Sequence, residues 1–145
     1  IGGIVVGTND LAKELALPKQ TGRGGLLYAL GSIILTAKAY NIITLDGVFN
    51  GISDEEGLRS EAEEGKNMGY DGKTLIHPNQ IGITNAVFSP TEKEIDLANK
   101  IIEAYEKAKE EKSGVTTVDG VLVEELHVKQ SLALISKMKM IQSMS

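Results

Sequence analysis

The first 88 residues alternate short β-branched runs with segments of helical periodicity, and this alternation constrains the fold more than any other feature. Three runs predict strands, at residues 4–6 (IVV), 41–49 (NIITLDGVF) and 72–78 (GKTLIHP). The segments between them predict helices, at residues 11–15, 26–40 and 54–70. Strands and helices that alternate over connections of this length are typical of βαβ units. The sequence therefore predicts an α/β fold with a parallel sheet and helices outside it.

The same pattern predicts which side chains are buried. The IVV run lies between glycines, so we expect it to be buried on both faces, as strands of parallel sheets are. In the second strand we expect Ile42, Ile43 and Leu45 in the core. The helix at 26–40 is apolar on most sides and is expected to pack between layers.

Two capping boxes predict where helices begin. Ser53 with Glu56 three residues later predicts the start of a helix, in which Leu58 and Ala62 share a face. The segment 89–92 (SPTE) predicts a second start, with proline at the first helical position.

The composition changes after residue 88, which predicts a boundary between a first part, 1–88, and a second part, 89–145. Ile95, Ala98, Ile102 and Tyr105 recur at helical spacing and predict a long amphipathic helix. Asp119-Gly120 between two β-rich arms predicts a hairpin. A last helix is expected to carry a stripe of three apolar residues, Val128, Leu132 and Ile135.

Composition limits the classes of function. The chain has 145 residues, a formal net charge of -5 and no cysteine. This balance argues against nucleic-acid or anionic-membrane binding through bulk attraction, and it excludes disulfides and thiolate chemistry. No stretch approaches the roughly 20 apolar residues of a membrane span. We therefore expect a soluble protein, for which a reducing cytoplasm is allowed.

An acidic residue follows the first strand, and another lies near the C-terminal end of the second. From the residues alone, Asp10, or Asn9 beside it, is more simply a cap for a helix starting at Leu11, because caps are commoner than metal ligands. Asp46 is equally well explained as a turn former beside Gly47.

Three stretches have a more specific character: GTNDLAKEL at 7–15, the long segment 46–81 that ends in GYDGKTLIHPNQI, and FSPTEKEIDLANKII at 88–102. Together they resemble the C-terminal portion of the citrate lyase beta-subunit-like family, the HpcH/HpaI group of CoA-ester lyases. The resemblance covers nearly the whole chain, and GYDGKTLIHPNQI followed by FSP is its most specific part.

The resemblance implies a (β/α)8 barrel, of which this chain would hold the last three βα units in 1–88. Residues 89–145 would form a C-terminal extension of helix, hairpin and helix. A whole barrel needs about 250 residues, so we expect the chain to be part of a longer protein. Its missing half would bring an arginine that holds the substrate and a glutamate that shares the metal.

From the residues alone a helix cap was favoured at Asp10, and the family match reverses this preference. The resemblance implies that Asp10 is a Mg²⁺ ligand at the C-terminal mouth of the barrel. It also implies a proton-transfer role for Glu124, where the family has an aspartate on an extension reaching a neighbouring subunit. The extra methylene of glutamate changes the reach of the carboxylate. A structural role for Glu124, as an acid at the start of a helix, is equally favoured.

Three further residues are candidates at the mouth. Arg23, in the glycine-rich loop at 20–25, is placed near CoA, and Asp46 in the thioester pocket. His77 could act as an acid or base, but a hydrogen bond from its ring that fixes the turn before Pro78 is the favoured role.

The predicted function is Mg²⁺-dependent cleavage of a carbon–carbon bond in a citryl-, malyl- or citramalyl-type thioester, giving an acetyl thioester and a 2-oxo acid. The carrier would be CoA or an acyl-carrier protein, and the parent a cytoplasmic homo-oligomer such as a trimer. Two alternatives are a non-catalytic assembly module, which we expect of the isolated chain, and a thioester hydrolase of the same family.

Overall fold

The computed structural model describes residues 1–18, 22–111 and 115–144. Two compact units are present, Ile1–Phe88 and Ser89–Ser145. In the first unit the strands are β1 (Gly3–Val5), β2 (Ile43–Asp46) and β3 (Gly72–Lys73). Its helices are α1 (Thr8–Glu14), α2 (Leu27–Ala39), α3 (Glu55–Met68) and α4 (Gln80–Phe88), with a 3₁₀ turn at Gly24–Leu26.

The three strands form one parallel sheet in the order β1-β2-β3. Ile4 pairs with Thr44 and Leu45 with Gly72, so the sheet runs in chain order through βαβ connections. The prediction of an α/β fold with a parallel sheet is confirmed. The third strand is shorter than predicted, since pairing ends at Lys73.

The core of the first unit lies between the sheet and its helices. Leu30 and Ile34 of α2 and Ala62 of α3 pack there with Val6 and Tyr70. Leu58 and Ala62 are 2% and 0% exposed, so the predicted buried face of α3 is confirmed. The Gly69 C-cap, at φ 105, ends α3 in the left-handed conformation that glycine adopts without strain.

The predicted burial of the strands is wrong: only Val6 of the IVV run is buried, not both faces of the run, and Ile43 is exposed instead of in the core. Thr44 and Asp46 are fully buried, whereas Val5 and Ile43 are 58% and 55% exposed. Alternate residues of a strand face opposite sides of the sheet, and the described helices cover the side that Thr44 and Asp46 face. The polar side chains on this side are paired, so their burial is tolerated; the Thr44 hydroxyl donates to Asp71 Oδ2 at 3.3 Å, and Asp46 accepts from Arg23 and Lys73.

Other details of the helices also differ from prediction. The α2 helix is buried on one face only, and Tyr28 and Leu35 are 89% and 76% exposed. The α3 cap is Asp54, not Ser53: its carboxylate accepts from the Gly57 N–H at 2.9 Å. Asp54 stands immediately before the first helical residue, the position from which a side chain reaches these N–H groups.

The second unit contains α5 (Glu92–Glu110), the antiparallel strands β4 (Thr116–Val118) and β5 (Val121–Val123), and α6 (Glu125–Ser143). The predicted hairpin is confirmed, and its turn residues Asp119 and Gly120 both have positive φ. The α5 capping box is Thr91 with Glu94, so proline precedes the cap instead of opening the helix.

Helices α5 and α6 pack together within this second unit. On α6 the buried residues are Val128 and Ser131, while Leu132 is 52% exposed, so the predicted stripe is shifted. No helix in the described part of the chain is long and apolar enough to cross a membrane.

Candidate functional site

The first two strands end side by side, and their ends are held in close contact. A Cβ added at Gly47 would collide with the Thr8 side chain and would lie 2.8 Å from the Val6 carbonyl oxygen. Only glycine fits this approach of the segment after β2 to the segment after β1. The residues that follow both strands are thereby brought to one edge of the sheet.

Asp10 lies at this edge, in the first turn of α1, and is exposed. The helix begins at Thr8 with Gly7 as its N-cap and has no side-chain cap, so the alternative that Asp10 or Asn9 caps the helix is wrong. Among the described residues the Asp10 carboxylate has no hydrogen-bond or ion-pair partner. An exposed carboxylate without a partner is free to bind a cation.

Arg23 and Asp46, both predicted to bind the thioester, are paired with each other. The guanidinium donates from NH1 to Asp46 Oδ2 at 2.8 Å and from NH2 to Oδ1 at 3.0 Å. The side chain of Asp46 is fully buried and that of Arg23 is 9% exposed. Bidentate pairs of this kind are strong and directional. Binding a thioester through either group would require this buried pair to open.

Sequence reasoning missed three further members of this charged cluster: Lys73, Glu61 and Glu64, whose Oε2 lies 3.3 Å from Arg23 Nε. The Lys73 ammonium is fully buried and lies 3.1 Å from Asp46 Oδ2 and 2.6 Å from Glu61 Oε1. Glu61 could have been found from its position on α3, because it is three residues after Leu58 and falls on the buried face. Lys73 is opposite Asp46 in the register, which only the paired strands reveal.

Tyr70 lies next to this cluster, and its hydroxyl is buried without a hydrogen-bond partner among the described residues. Burial and the Asp46 carboxylate raise the pKa of Tyr70 to about 12, against a smaller lowering by Arg23. The phenol is therefore neutral at physiological pH.

A cleft of about 810 Å³ opens beside the charged cluster. Its polar lining comes from α1, from the loop 47–51 after β2, from Arg23 and from α3: Thr8, Asn9, Lys13, Arg23, Asn50 and Glu61. Among the described residues the Lys13 ammonium has no carboxylate partner, unlike Arg23. Lys13 is therefore the better placed cation for an anionic ligand in this cleft, and no motif in the sequence singled it out.

His77 and Glu124 have defined local structural roles. His77 Nδ1 accepts the Asn79 N–H at 3.2 Å, so the ring fixes the turn after β3 as an acceptor, not as the expected donor. Glu124, in the second unit, is the N-cap of α6 and is exposed. Its backbone N–H donates to His127 Nδ1 at 3.0 Å. Both positions agree with the structural alternatives, and neither tests a catalytic role.

Asp10, at the carboxyl edge of the sheet, suits part of a magnesium site. Mg²⁺ is bound by one or two carboxylates and keeps several waters, and Asp10 offers one exposed carboxylate. The described residues contain no group of three or more acidic or histidine side chains that could hold a metal by themselves. Asp10 therefore fits as one ligand of a shared site.

Parallel βα units with polar groups gathered where the strands end define an α/β protein with its candidate site at the carboxyl edge of the sheet. Residues 1–78 match the HpcH/HpaI aldolase/citrate lyase family, and the chain belongs to this family. The resemblance seen in the sequence is thus confirmed.

Two groups of named relatives indicate the range of the family. The chain is 51% identical over 136 residues to a (3S)-malyl-CoA thioesterase of Cereibacter sphaeroides, covering 92% of this chain and 48% of that protein. It is 38% identical over 122 residues to the citrate lyase subunit beta of Leuconostoc mesenteroides, covering 84% and 40%. The chain spans about half the length of the curated relatives it matches.

Solved structures share the fold. The CitE protein of Mycobacterium tuberculosis in complex with magnesium, acetoacetate and coenzyme A matches with a TM-score of 0.76 at 23% identity, over 95% of this chain and 52% of that one. The citrate lyase beta subunit of the same organism, complexed with oxaloacetate and magnesium, matches 61% of this chain and 42% of that one at 31% identity, with a TM-score of 0.55.

Proposed function

We propose that this chain is half of a magnesium-dependent enzyme that cleaves the CoA thioester of a 3-hydroxy acid of the malyl type. The observation that carries the proposal is the exposed Asp10 carboxylate just after β1, which has no partner within the described part of the chain and lies beside a cleft whose lining includes Lys13. The family assignment and the malyl-CoA relatives supply the substrate class.

Each residue has a stated task in this proposal. Asp10 would hold Mg²⁺ through one carboxylate oxygen, and the bound ion would supply a Lewis acid for the hydroxyl and carboxylate oxygens of the substrate. Lys13 would hold an anionic group of CoA in the cleft. Arg23 and Asp46 would not contact the thioester directly. Their buried pair would instead hold in place the wall of the cleft that binds the thioester.

Glu124 would give a proton to the α-carbon of the thioester enolate in carbon–carbon cleavage, or to the leaving sulfur in hydrolysis, from the extension of a neighbouring subunit in a homo-oligomer. We place the last three βα units of a (β/α)8 barrel in residues 1–88 and the extension in 89–145. The other strands, and a second acidic metal ligand, would come from the part that the relatives have in addition.

Two reactions fit this substrate, and the comparisons favour hydrolysis. In hydrolysis water attacks the thioester carbonyl, the C–S bond breaks, and CoA leaves as the thiol with the hydroxy acid intact. The 51% identity to a malyl-CoA thioesterase supports this reaction over the one first expected from the sequence. In carbon–carbon cleavage the hydroxyl becomes the carbonyl of a 2-oxo acid, and the thioester enolate is protonated. Relatives named citrate lyase beta support it as the second candidate.

Product analysis tests the proposal with the protein made from the complete reading frame. The enzyme is incubated with malyl-CoA and Mg²⁺, and free thiol and glyoxylate are measured in parallel. Thiol without glyoxylate means hydrolysis, and glyoxylate with acetyl-CoA means carbon–carbon cleavage. Asp10→Ala is expected to lower kcat at least 100-fold, and Asn99→Ala on the exposed face of α5 serves as the control. Unchanged kcat in Asp10→Ala would refute the ligand assignment.

The 145-residue chain alone is expected to be inactive and to bind Mg²⁺ weakly, since we place only one of the metal ligands in it. The same assay run on this polypeptide checks the assembly-module alternative. Turnover by the isolated chain would show that it contains a complete site.

A further inference from the structure

The loop 47–51 after β2 is anchored to the interior of the first unit through two of its carbonyl groups. Lys73 Nζ donates to the Gly47 carbonyl at 2.7 Å, and Gln80 Nε2 donates to the Phe49 carbonyl at 3.0 Å. Both donors are buried, at 8% and 1% residue exposure. A loop that lines an open cleft is thus fixed from its inner side.

Gln80 is the more informative of these anchors. Its Oε1 accepts the Ile76 N–H at 3.1 Å, so the buried amide joins the loop after β2 to the segment after β3. Gln80 belongs to the HPNQ segment, the most specific part of the sequence, and the proposed function gives it no role. A buried amide with both ends satisfied is costly to disrupt, because removal leaves a backbone group unpaired.

The outer side of the loop is joined to α1. Asn50 Nδ2 donates to Asn9 Oδ1 at 2.8 Å, and Asn9 Nδ2 donates to Asn50 Oδ1 at 3.1 Å. The pair is reciprocal, so each amide uses one donor and one acceptor. Asn9 immediately precedes Asp10 in the first turn of α1, a turn that has no side-chain cap of its own.

We propose that Gln80 and the Asn9–Asn50 pair are positioning residues that fix the Asp10 carboxylate for a divalent cation. The attachment runs from the buried Gln80 amide to the Phe49 carbonyl, through Asn50 to Asn9, and so to the turn that carries Asp10. This inference rests on the proposed function, in which Asp10 binds Mg²⁺.

The chemistry of the ion explains why such an attachment matters. Mg²⁺ demands near-ideal octahedral geometry and loses its waters reluctantly, so its affinity depends on where the few carboxylate ligands are held. Among the described residues, no hydrogen bond or ion pair holds the Asp10 carboxylate. Its position therefore depends on neighbouring residues that fix the backbone of the turn that carries Asp10.

Isothermal titration calorimetry tests the proposal. The protein made from the complete reading frame is titrated with Mg²⁺ alone. We expect Asn9→Ala and Asn50→Ala each to raise the Kd for Mg²⁺ about three- to tenfold. The double variant should be no weaker than either single variant, because both remove the same pair. Gln80→Glu keeps the acceptor for Ile76 but loses the donor to Phe49, and we expect a similar rise.

Controls separate positioning from a loss of folding and from a failure of the proposed function. Asn99→Ala and Gln130→Glu make matched changes at exposed positions of the second unit and should leave the Kd unchanged. All titrations are made well below the Tm of each variant.

Three outcomes would contradict the proposal. If Asn50→Ala and Gln80→Glu bind Mg²⁺ with the same Kd as the wild type while Asp10→Ala loses binding, the positioning role alone is wrong. Wild-type Kd in Asp10→Ala would overturn the metal assignment and with it this inference. Additive effects of the two asparagine variants would contradict action through the pair.

Discussion

The Arg23 guanidinium and the Asp46 carboxylate form a bidentate pair, with donor–acceptor distances of 2.8 and 3.0 Å, in the interior of the first unit. Asp46 also accepts from Lys73 at 3.1 Å, so one carboxylate is shared by two cations. The pair joins the segment before α2 to the end of β2. Arg23 was expected near CoA and Asp46 in the thioester pocket, whereas the structure pairs them with each other in the buried interior.

Removal of Asp46 should therefore destabilise the protein strongly. Asp46→Ala leaves Arg23 and Lys73 without their shared carboxylate, and loss of one partner of a buried pair costs about 3–5 kcal/mol. Urea denaturation measures the free energy of unfolding. Lys38→Ala, which removes the exposed partner of Asp71, is the matched control and should cost less than about 1 kcal/mol. If the two changes lower the free energy of unfolding equally, the buried pair stabilises the protein no more than the exposed pair does.

Tyr70 should titrate apart from the exposed tyrosines. Its pKa is raised to about 12, first by burial and then by Asp46, whereas Tyr28 and Tyr40 are 89% and 74% exposed. Because the folded-state pKa lies above the unfolded value of 10.0, its stabilising effect is fully present below pH 10 and is lost as the pH rises towards 12. Phenolate absorbance, compared between wild type and Tyr70→Phe, measures this titration. Ionisation of Tyr70 together with the exposed tyrosines in the folded protein would contradict it.

The start of α3 gives a direct comparison of two neighbouring residues. Asp54→Ala removes the cap of the Gly57 N–H and should lower the free energy of unfolding by about 1 kcal/mol. Ser53→Ala should change it by less than about 0.5 kcal/mol, because Ser53 is not the cap. Thermal or urea unfolding distinguishes the two, and the reverse ranking would restore the capping box expected from the sequence.

Glu124 offers a similar comparison for function. If its carboxylate moves a proton, Glu124→Gln should lower kcat at least tenfold with little change in KM, since the amide neither takes up nor releases that proton. Glu125→Gln, in the first turn of α6, is the control. The pH profile of kcat should lose one limb in Glu124→Gln only. Unchanged kcat with a lowered Tm would leave Glu124 as a structural N-cap.

The sequence by itself determined the local elements and their class. Strand and helix periods, the Asp119-Gly120 turn and the buried face of α3 all follow from neighbours a few residues apart, and the structure confirms them. The motifs also gave the family, because a long run of unusual residues in order is specific without any coordinates.

The tertiary structure decided which face of each strand is covered and which polar groups meet. Ile43 and Thr44 are adjacent and both compatible with a strand, and only the helices packed on one side of the sheet determine that Thr44 is buried. The same is true of Arg23 and Asp46, and of Asn9 and Asn50, which are 23 and 41 residues apart. Contacts over such separations depend on the path of the whole chain, whereas periodicity reports only on local geometry.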